Sequence, residues 1–372
     1  MTKTLLVSVL FSLFVLSAPL PAASSQSIAS KEVIALFAVF EGARINLYSS
    51  RLNGSDRKLL LSQETKLTNA RPFDVIHAKV SAYSRRIAYK LPAYGRAPLY
   101  LMDANGENKT KIVGEVQDFY WSIESNDIIY SAPLPPPDPM QEQSIHEDGY
   151  EWHSINLQTG KDETIAARTQ KLHRFGGWIS NDQALFISYW LGGALLYVLD
   201  LETRSTSEIA VPPGLINTEV SVSPSRKHIL VSAPDRNHPC VFYEVAAKGK
   251  TLKQIAVSND RCEGIAWNGD SEFFFGVWRS LPHGQTSESG YYALLSVYKY
   301  DFKSKRKKPV VVSNGKEVYR LQGVVPGKAM IVSNETNRRS PQYILETRDL
   351  KGIHPVTLFS SAKEMLFVGY LR

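Results

Sequence analysis

A strand-turn-strand pattern that recurs along the chain constrains the fold more than any other feature of the sequence. In each copy, an apolar run with Tyr or Phe is followed by a polar turn, a basic residue and a second apolar run. Turns such as Asn105-Gly106 favour hairpins, because Gly and Asn accept the positive φ of tight turns at little cost. Seven copies occur, at 45–61, 99–113, 151–166, 195–211, 241–257, 296–312 and 342–358.

A second pair of strands precedes six of these hairpins. No stretch of a dozen residues has a convincing apolar period of 3.6, so long helices are not expected. Four strands in each repeat of about 43 to 54 residues are typical of a β-propeller blade. The sequence therefore predicts an all-β, seven-bladed β-propeller. The added strand pairs begin near Ala78, Phe119, Gly176, Val220, Ile265 and Gly323.

The first copy lacks one strand, and the end of the chain supplies it. Val33–Phe40 provides only the second strand of the first blade, whereas the apolar segment Glu364–Arg372 follows the seventh hairpin without a partner. Pairing of these two segments closes the ring and leaves no blade with an unpaired edge. The propeller is predicted at 24–372, with blades at approximately 31–64 plus 362–372, 73–115, 116–168, 169–212, 213–258, 259–313 and 314–361.

The amino-terminal segment, residues 1–23, has the order of a secretory signal peptide. Lys3 precedes an apolar run at Leu5–Leu16, and mostly small residues follow. A run of about 12 residues is shorter than the roughly 20 that span a bilayer as a helix. Cleavage near Ala22 or Ala23 is predicted, which gives an exported protein, periplasmic or secreted, with no transmembrane segment in the mature chain. An uncleaved amphipathic or anchoring segment is the alternative.

Three segments carry a resemblance to a known blade. They are LYLMDANGENKTKI at 99–112, WSIESNDIIYSA at 121–132 and SVSPSRKHILV at 221–231, the last of which keeps Ser-Pro and loses Asp-Gly. The chain resembles the TolB-type, WD-repeat-like propeller family, whose repeat reads approximately W-S-P-D-G-x-x-I-A-F followed by I-Y-x-M-D-x-D-G. The resemblance implies a propeller without the amino-terminal domain of TolB. It implies no single activity, because this blade occurs in binding proteins and as an accessory domain of hydrolases.

Antiparallel strands sort the connections of a propeller onto two faces. With strands labelled A to D outward, the B-to-C loops and D-to-A connections lie on one face, the loop face, and the A-to-B and C-to-D turns lie on the other, the turn face. The loop face carries long insertions at Pro133–Gly149 and Ser280–Gly290. Such loops on one rim of a scaffold often bind partners, although a solvated decoration is the alternative. The predicted partner-binding residues of the first insertion are Asp138, Glu142, His146, Glu147 and Asp148.

The A strands begin on the loop face and place polar side chains at the mouth of the channel. We expect this ring to bind the partner. Imidazoles and carboxylates also suit a metal or a sugar, but their spacing matches no metal motif, and a wet polar mouth without a ligand is the alternative. The predicted residues are His77, Asp118, His173, Arg174, Glu219, Glu263 and Arg320, with Glu364 beside them.

The turn face is predicted to be basic. The formal net charge is +7, and loss of Lys3 with the signal peptide leaves +6. A cationic rim attracts anionic polymers through long-range forces that salt screens, although these charges also serve solubility. Nucleic acid is not expected, because the protein is exported and has no stacking motif. The densest cluster is Lys303, Lys305, Arg306, Lys307 and Lys308, and other turns carry Arg57, Lys58, Lys109, Lys111, Lys161, Arg204, Lys248, Lys250 and Lys351.

The two cysteines of the chain, Cys240 and Cys262, begin strands of neighbouring blades on the loop face. An exported protein meets oxidising conditions, which favours a disulfide between the blades. The bridge would close a loop of about 20 residues, which contributes on the order of 3 kcal/mol in the chain-entropy interpretation. Two buried free thiols are the alternative.

Recognisable catalytic motifs are absent from the sequence, including G-x-S-x-G, H-E-x-x-H, the P-loop and G-x-G-x-x-G. The sequence therefore favours a monomeric, non-enzymatic scaffold without a cofactor or metal, which binds a protein or peptide in the cell envelope through the loop face and channel mouth. The alternative is a propeller lyase or hydrolase that acts on an envelope or extracellular carbohydrate through the channel ring. A third hypothesis is adhesion to an anionic surface polymer through the basic turns.

Overall fold

Seven antiparallel sheets of four strands make up the structure, a computed structural model. In the described part of the chain, the helical element is a short 3-10 turn at Arg168–Gln170. The predicted all-β, seven-bladed propeller is confirmed. The predicted signal peptide at 1–23 lies outside the described residues. These are 33–41, 44–64, 77–81, 83–91, 97–124, 126–132, 149–190, 193–209, 211, 219–234, 238–245, 252–281, 293–313, 317–336, 342–361 and 365–371.

Each sheet is one blade, in which four strands, numbered in chain order, lie side by side from the channel outward. Blade 1 contains β28 (Met365–Leu371), β1 (Ile34–Glu41), β2 (Arg44–Arg51) and β3 (Lys58–Glu64). Blade 2 contains β4 (His77–Val80), β5 (Arg86–Lys90), β6 (Ala97–Asp103) and β7 (Thr110–Val116). Blade 3 contains β8 (Asp118–Trp121), β9 (Asp127–Ser131), β10 (Trp152–Asn156) and β11 (Asp162–Ala166).

The remaining blades follow the same order. Blade 4 contains β12 (Arg174–Trp178), β13 (Gln183–Trp190), β14 (Gly193–Asp200) and β15 (Thr206–Ile209). Blade 5 contains β16 (Glu219–Val222), β17 (Ile229–Ala233), β18 (Cys240–Val245) and β19 (Leu252–Ser258). Blade 6 contains β20 (Arg261–Asn268), β21 (Glu272–Ser280), β22 (Ala293–Asp301) and β23 (Arg306–Val311). Blade 7 contains β24 (Glu317–Val325), β25 (Ala329–Thr336), β26 (Gln342–Arg348) and β27 (Val356–Ser361).

The last strand closes the ring, as the sequence predicted. β28 pairs antiparallel with β1, and the register runs from Ile34 opposite Leu371 to Val39 opposite Met365. The inner strands β28 and β4 lie in contact, as do β24 and β28, so blade 1 joins both of its neighbours. Because β1 is paired on both sides, its apolar edge is covered.

The core lies between the blades, where apolar faces of neighbouring sheets meet. Between blades 5 and 6, the ring of Phe242 lies 5.2 Å from that of Phe273 and 4.8 Å from that of Phe275. Between blades 3 and 4, Trp152 packs edge-on against Phe186 at 4.8 Å. All five rings are almost completely buried. Each such side chain stabilises the fold by about 1.5 to 3 kcal/mol relative to exposure.

Tryptophans near the ends of inner strands tie blades 3, 4 and 6 each to the blade before it. The indole N–H of Trp121 donates to the carbonyl of Lys79 at 2.8 Å, and that of Trp178 donates to the carbonyl of Trp121 at 2.7 Å. The indole of Trp267 donates to the Ser221 hydroxyl at 3.0 Å. These bonds fix the stagger of the inner strands, which positions the side chains around the channel.

Candidate functional site

The predicted channel-mouth residues lie on the inner strands, toward the ends that open on the loop face. His77, Asp118, Arg174 and Glu219 are the first residues of β4, β8, β12 and β16. His173 precedes β12, while Glu263 and Arg320 lie within β20 and β24. The structure brings several of them into contact with a neighbouring blade rather than leaving them as independent side chains. Glu364 lies outside the described residues.

Asp118 is the centre of a charged cluster between blades 2 and 3. Its carboxylate lies 3.1 Å from the Lys79 ammonium and accepts the Phe119 backbone N–H at 2.8 Å and the Tyr120 hydroxyl. Lys79 also donates to the Phe119 carbonyl at 2.6 Å and lies 3.2 Å from the centre of the Tyr120 ring. The carboxylate and the ammonium are therefore both satisfied within the protein.

Burial sets the protonation properties of this cluster. It lowers the pKa of Lys79 to about 8, although the charge and hydrogen bond of Asp118 oppose the shift. Burial would raise the pKa of Asp118, but Lys79 and the hydrogen bond from Tyr120 hold it below its usual value. Lys90 donates to the Gln117 carbonyl, and burial lowers its pKa as well. The cluster thus contains two partly desolvated cations beside one carboxylate.

Glu219 joins blades 5 and 6. Its two carboxylate oxygens accept the backbone N–H groups of Gly264 and Ile265, each at 3.1 Å. These donors are accessible because β20 has a bulge where it pairs with β21, and Gly264 has a φ of +63° there. Burial raises the pKa of Glu219, although the two hydrogen bonds and the charge of Arg174 act in the opposite direction.

Glu263 joins blades 6 and 7. It accepts the indole N–H of Trp278 at 2.6 Å and lies 3.1 Å from the Arg320 guanidinium. That guanidinium also lies 5.7 Å from the Trp278 ring. About one third of each charged side chain is exposed, so the contact is a partly solvated ion pair. Its main consequence is that both groups are held in place at the channel mouth.

An exposed pair of side chains remains at the start of blade 4. Arg174 is exposed, and its guanidinium interacts with the nearby side chain of Tyr189, which is 37% exposed. Beside them, His173 accepts the Tyr189 backbone N–H through Nδ1 at 3.2 Å, and the Ser188 hydroxyl lies 3.3 Å from the same nitrogen. The imidazole therefore positions the end of β13, whereas Arg174 and Tyr189 face solvent. His77 lies opposite Lys90 in the pairing of β4 with β5.

Sequence reasoning missed several members of this region. Lys79 and Tyr120 lie inside inner strands rather than at their starts, and Lys90, Tyr189 and Trp278 come from second strands. The available signal was a lysine within the otherwise apolar strand segments at 78–80 and 87–90. Buried lysines require a partner, so these positions pointed to a charge nearby.

The predicted loop site lies outside the described residues. Its members are Asp138, Glu142, His146, Glu147 and Asp148. Among the basic turns, Lys248 and Lys250 lie outside them as well. Lys161 and Arg204 both contact Glu163, the latter at 2.8 Å, which partly neutralises that part of the turn face.

The densest basic cluster follows the outer edge of blade 6. Its residues Lys303, Lys305, Arg306, Lys307 and Lys308 are exposed. They occupy the turn before β23 and the first half of that strand, which also contains Pro309. Lysine and proline on an edge strand oppose pairing with another chain, which gives the cluster a structural role.

Cys240 and Cys262 form a disulfide between β18 of blade 5 and β20 of blade 6, with Cα atoms 5.6 Å apart. Metal-type clusters of three or more His, Cys, Asp or Glu were not found within the described ranges. Within the same ranges, no helix has the length and apolar character to cross a membrane.

Comparison with known proteins supports the fold. No family model matches the sequence, and no curated protein matches it. TolB from Acinetobacter baumannii is 15% identical, with 91% of this chain and 83% of that chain covered and a TM-score of 0.48.

Two structures from Pyrococcus species have higher TM-scores with this chain. Pyrococcus horikoshii acylaminoacyl peptidase is 11% identical with a TM-score of 0.60, covering 88% of this chain but only 51% of the peptidase. The propeller domain of the Trilobed protease from Pyrococcus furiosus is 10% identical, with 88% and 94% covered and a TM-score of 0.57. That domain has an open velcro topology, whereas β28 closes blade 1 in this chain. Identities this low support the fold alone.

Proposed function

We propose that this propeller is an exported binding protein of the cell envelope, which holds a protein or peptide partner at the loop-face mouth of its channel without catalysing a reaction. The observation that carries the proposal is the exposed pair Arg174 and Tyr189 at that mouth. Arginine and tyrosine are enriched among the side chains that dominate binding energy at protein interfaces.

The surroundings of this pair favour a binding role. The carboxylates of Asp118, Glu219 and Glu263 each contact a group of a neighbouring blade, which makes the ring a rigid support. Arg174 presents a planar guanidinium that suits a carboxylate of a partner, and Tyr189 adds an amphipathic contact surface. A pre-organised support lowers the ordering cost of binding.

Site-specific crosslinking tests the proposal. A photoreactive phenylalanine analogue replaces Tyr189 in one variant and Tyr83 in the control; Tyr83 is 63% exposed on the turn face. In envelope extracts of the native host, we expect a discrete adduct from position 189 and not from position 83. Arg174→Glu should remove the adduct, whereas Arg261→Glu, an exposed charge change elsewhere on the loop face, should retain it. Equal labelling from both faces would contradict the proposal.

Export is a separate part of the proposal and rests on residues 1–23. Expression in the native host should yield a mature chain that begins near Ser24, as read by amino-terminal sequencing of the envelope or secreted fraction. An intact Met1 in the cytoplasmic fraction would contradict export.

The second candidate function is a lyase or hydrolase that acts on a carbohydrate. Burial raises the pKa of Glu219, as a general acid requires. Its two backbone hydrogen bonds favour the structural role. Glu219→Gln decides between them when envelope polysaccharides are offered as substrates. The enzyme would be established if the wild-type protein turns over such a substrate and the variant does not, while the variant keeps the unfolding temperature of the wild type.

A further inference from the structure

A cavity of about 520 Å³ opens at the turn-face end of the channel, between blades 7, 1 and 2. Blade 2 contributes the end of β4 and Arg85 of the following turn, blade 7 contributes Val324, and blade 1 contributes residues 367–371 of β28. This volume lies within the roughly 300 to 1,000 Å³ of small-molecule sites. The cavity is at the opposite end of the channel from Arg174.

The topology explains why the cavity is at this position. On the turn face, polar contacts join the A-to-B turns of successive blades. The Asn181 amide donates to Glu124 at 2.6 Å, Arg226 donates to Asn181 at 2.8 Å, and the Ser225 backbone N–H donates to Asp270 at 3.1 Å. Blade 1 has no such turn, because its two inner strands, β28 and β1, come from opposite ends of the propeller. The turn-face rim is therefore interrupted beside Leu371.

The charge of the cavity wall is positive. Among the described residues that line it, Lys79 and Arg85 are charged and none carries a carboxylate. Lys79 is already paired with Asp118, but Arg85 is exposed and has no ion-pair or hydrogen-bond partner within the described part of the chain. Arg85 is held in position by its turn, where it has a φ of +53°.

The rest of the wall is more apolar than polar, with Ser81 and Tyr370 among its polar residues. Val80, Val324, Phe367 and Leu371 contribute side chains to it, and the backbone of Gly369 passes along one side. An apolar wall with one unpaired guanidinium at its edge can take an apolar body and fix the orientation of an attached anion.

We propose that this cavity binds a small amphipathic organic anion, with the acidic group on Arg85 and the apolar part against Val80, Val324 and Phe367. The site is independent of the loop-face function, because a ligand in this cavity touches neither Arg174 nor Tyr189.

Two fluorescent probes of nearly the same shape test the site. Anilinonaphthalene sulfonate carries an anionic group, whereas phenylnaphthylamine has the same aromatic body without the charge. Titration of the full-length protein should show that the anion binds about tenfold more tightly or better, since a charge-assisted hydrogen bond contributes roughly 1.5 to 3 kcal/mol. Equal affinity for the two probes in the wild-type protein would overturn the proposal without any substitution.

Charge reversal then locates the site. Arg85→Glu should remove the preference for the anion, Arg85→Lys should retain most of it, and Arg261→Glu should behave like the wild-type protein. An unfolding transition like that of the wild type confirms that each variant is folded. Retained anion preference in Arg85→Glu would also overturn the proposal. Crosslinking from position 189 should be unchanged in Arg85→Glu, so failure of this site and failure of the loop-face function are distinguishable.

Discussion

Lys79 is a cation between two blades, and its surroundings determine how pH acts on the propeller. Only 29% of its side-chain surface is exposed, and Asp118 provides the neighbouring negative charge. The pair connects residues that are 39 positions apart in sequence. Partial burial makes the charged form of Lys79 costly even though it is paired.

Stability should therefore rise with pH in the alkaline range. The pKa of Lys79 is about 8 in the folded protein, against 10.5 for an ordinary lysine. Between these values the unfolded chain holds a proton that the folded chain has released, so unfolding takes up a proton and its free energy increases with pH. Relative to Lys79→Met, we expect the wild type to gain up to about 3 kcal/mol between about pH 7 and pH 10.5. Denaturant unfolding across this range measures the difference, and parallel profiles for the two proteins would refute it.

Substitutions at two glycines in turns can distinguish the cost of backbone strain from the cost of a steric clash. Gly352 and Gly160 have φ values of +80° and +71°. A Cβ at Gly352 would lie 2.4 Å from the Val310 carbonyl oxygen, whereas a Cβ at Gly160 would meet no atom within 4 Å. Gly160→Ala should lower the free energy of unfolding by about 1 to 2 kcal/mol, and Gly352→Ala by at least about 1 kcal/mol more. Equal losses in thermal unfolding would show that β23 moves away from the turn.

The limits of sequence reasoning are clearest for side-chain partners. Asp118 was predicted at the channel mouth because the repeat fixes where β8 begins. The contact between Asp118 and Lys79 was not predicted, because this contact depends on the stagger of two blades, which no local sequence pattern encodes. The same limit applies to Glu263 and Arg320, which were both predicted for the ring but not as a pair.

At the scale of strands, turn chemistry made the hairpins predictable. Asn105-Gly106 forms the turn between β6 and β7, and Gly106 packs against Leu60 of the outer strand in blade 1. Gly54 likewise meets Thr357 of β27. These glycines therefore serve two purposes, a tight turn and a close approach to the preceding blade. Only the first was evident in the sequence.

The basic run in β23 shows a different limit. Five cations at 303–308 suggest an anion-binding surface, but three of them lie in β23, an edge strand that also contains Pro309. Protection of the edge explains the charge without a ligand. Composition alone did not distinguish these roles, because both require exposed lysines.

The disulfide should stabilise the junction of blades 5 and 6. Cys240 and Cys262 are separated by 22 positions, so the bridge restricts a loop of that size in the unfolded chain. Replacing both by alanine should lower the free energy of unfolding by about 3 kcal/mol. Reductant should lower the wild-type value by a similar amount and leave the double variant unchanged. Alkylation of both cysteines in the native protein without reductant would contradict the bridge.

At the scale of the whole molecule, closure was predictable because it follows from counting strands. Six blades were complete in sequence, one lacked a strand, and one apolar segment remained. The sequence predicts the loop-face insertions as long connections but does not predict their contacts, since loops of this length are not specified by local turn patterns.

Removal of the closing strand tests whether the ring is one cooperative unit. A chain shortened after Lys363 leaves the inner edge of β1 unpaired and removes the buried side chains of Met365 and Leu371. We expect a lower unfolding temperature and self-association, because the exposed edge is a template for another strand. Light scattering and thermal unfolding measure both changes.

A synthetic peptide of residues 364–372 should restore the monomer, because it replaces the missing strand in register. The same peptide with Leu371→Asp should fail, since this side chain is only 2% exposed and a carboxylate there would lose its hydration. An unaltered transition in the shortened chain would mean that blade 1 is held by its neighbours rather than by β28.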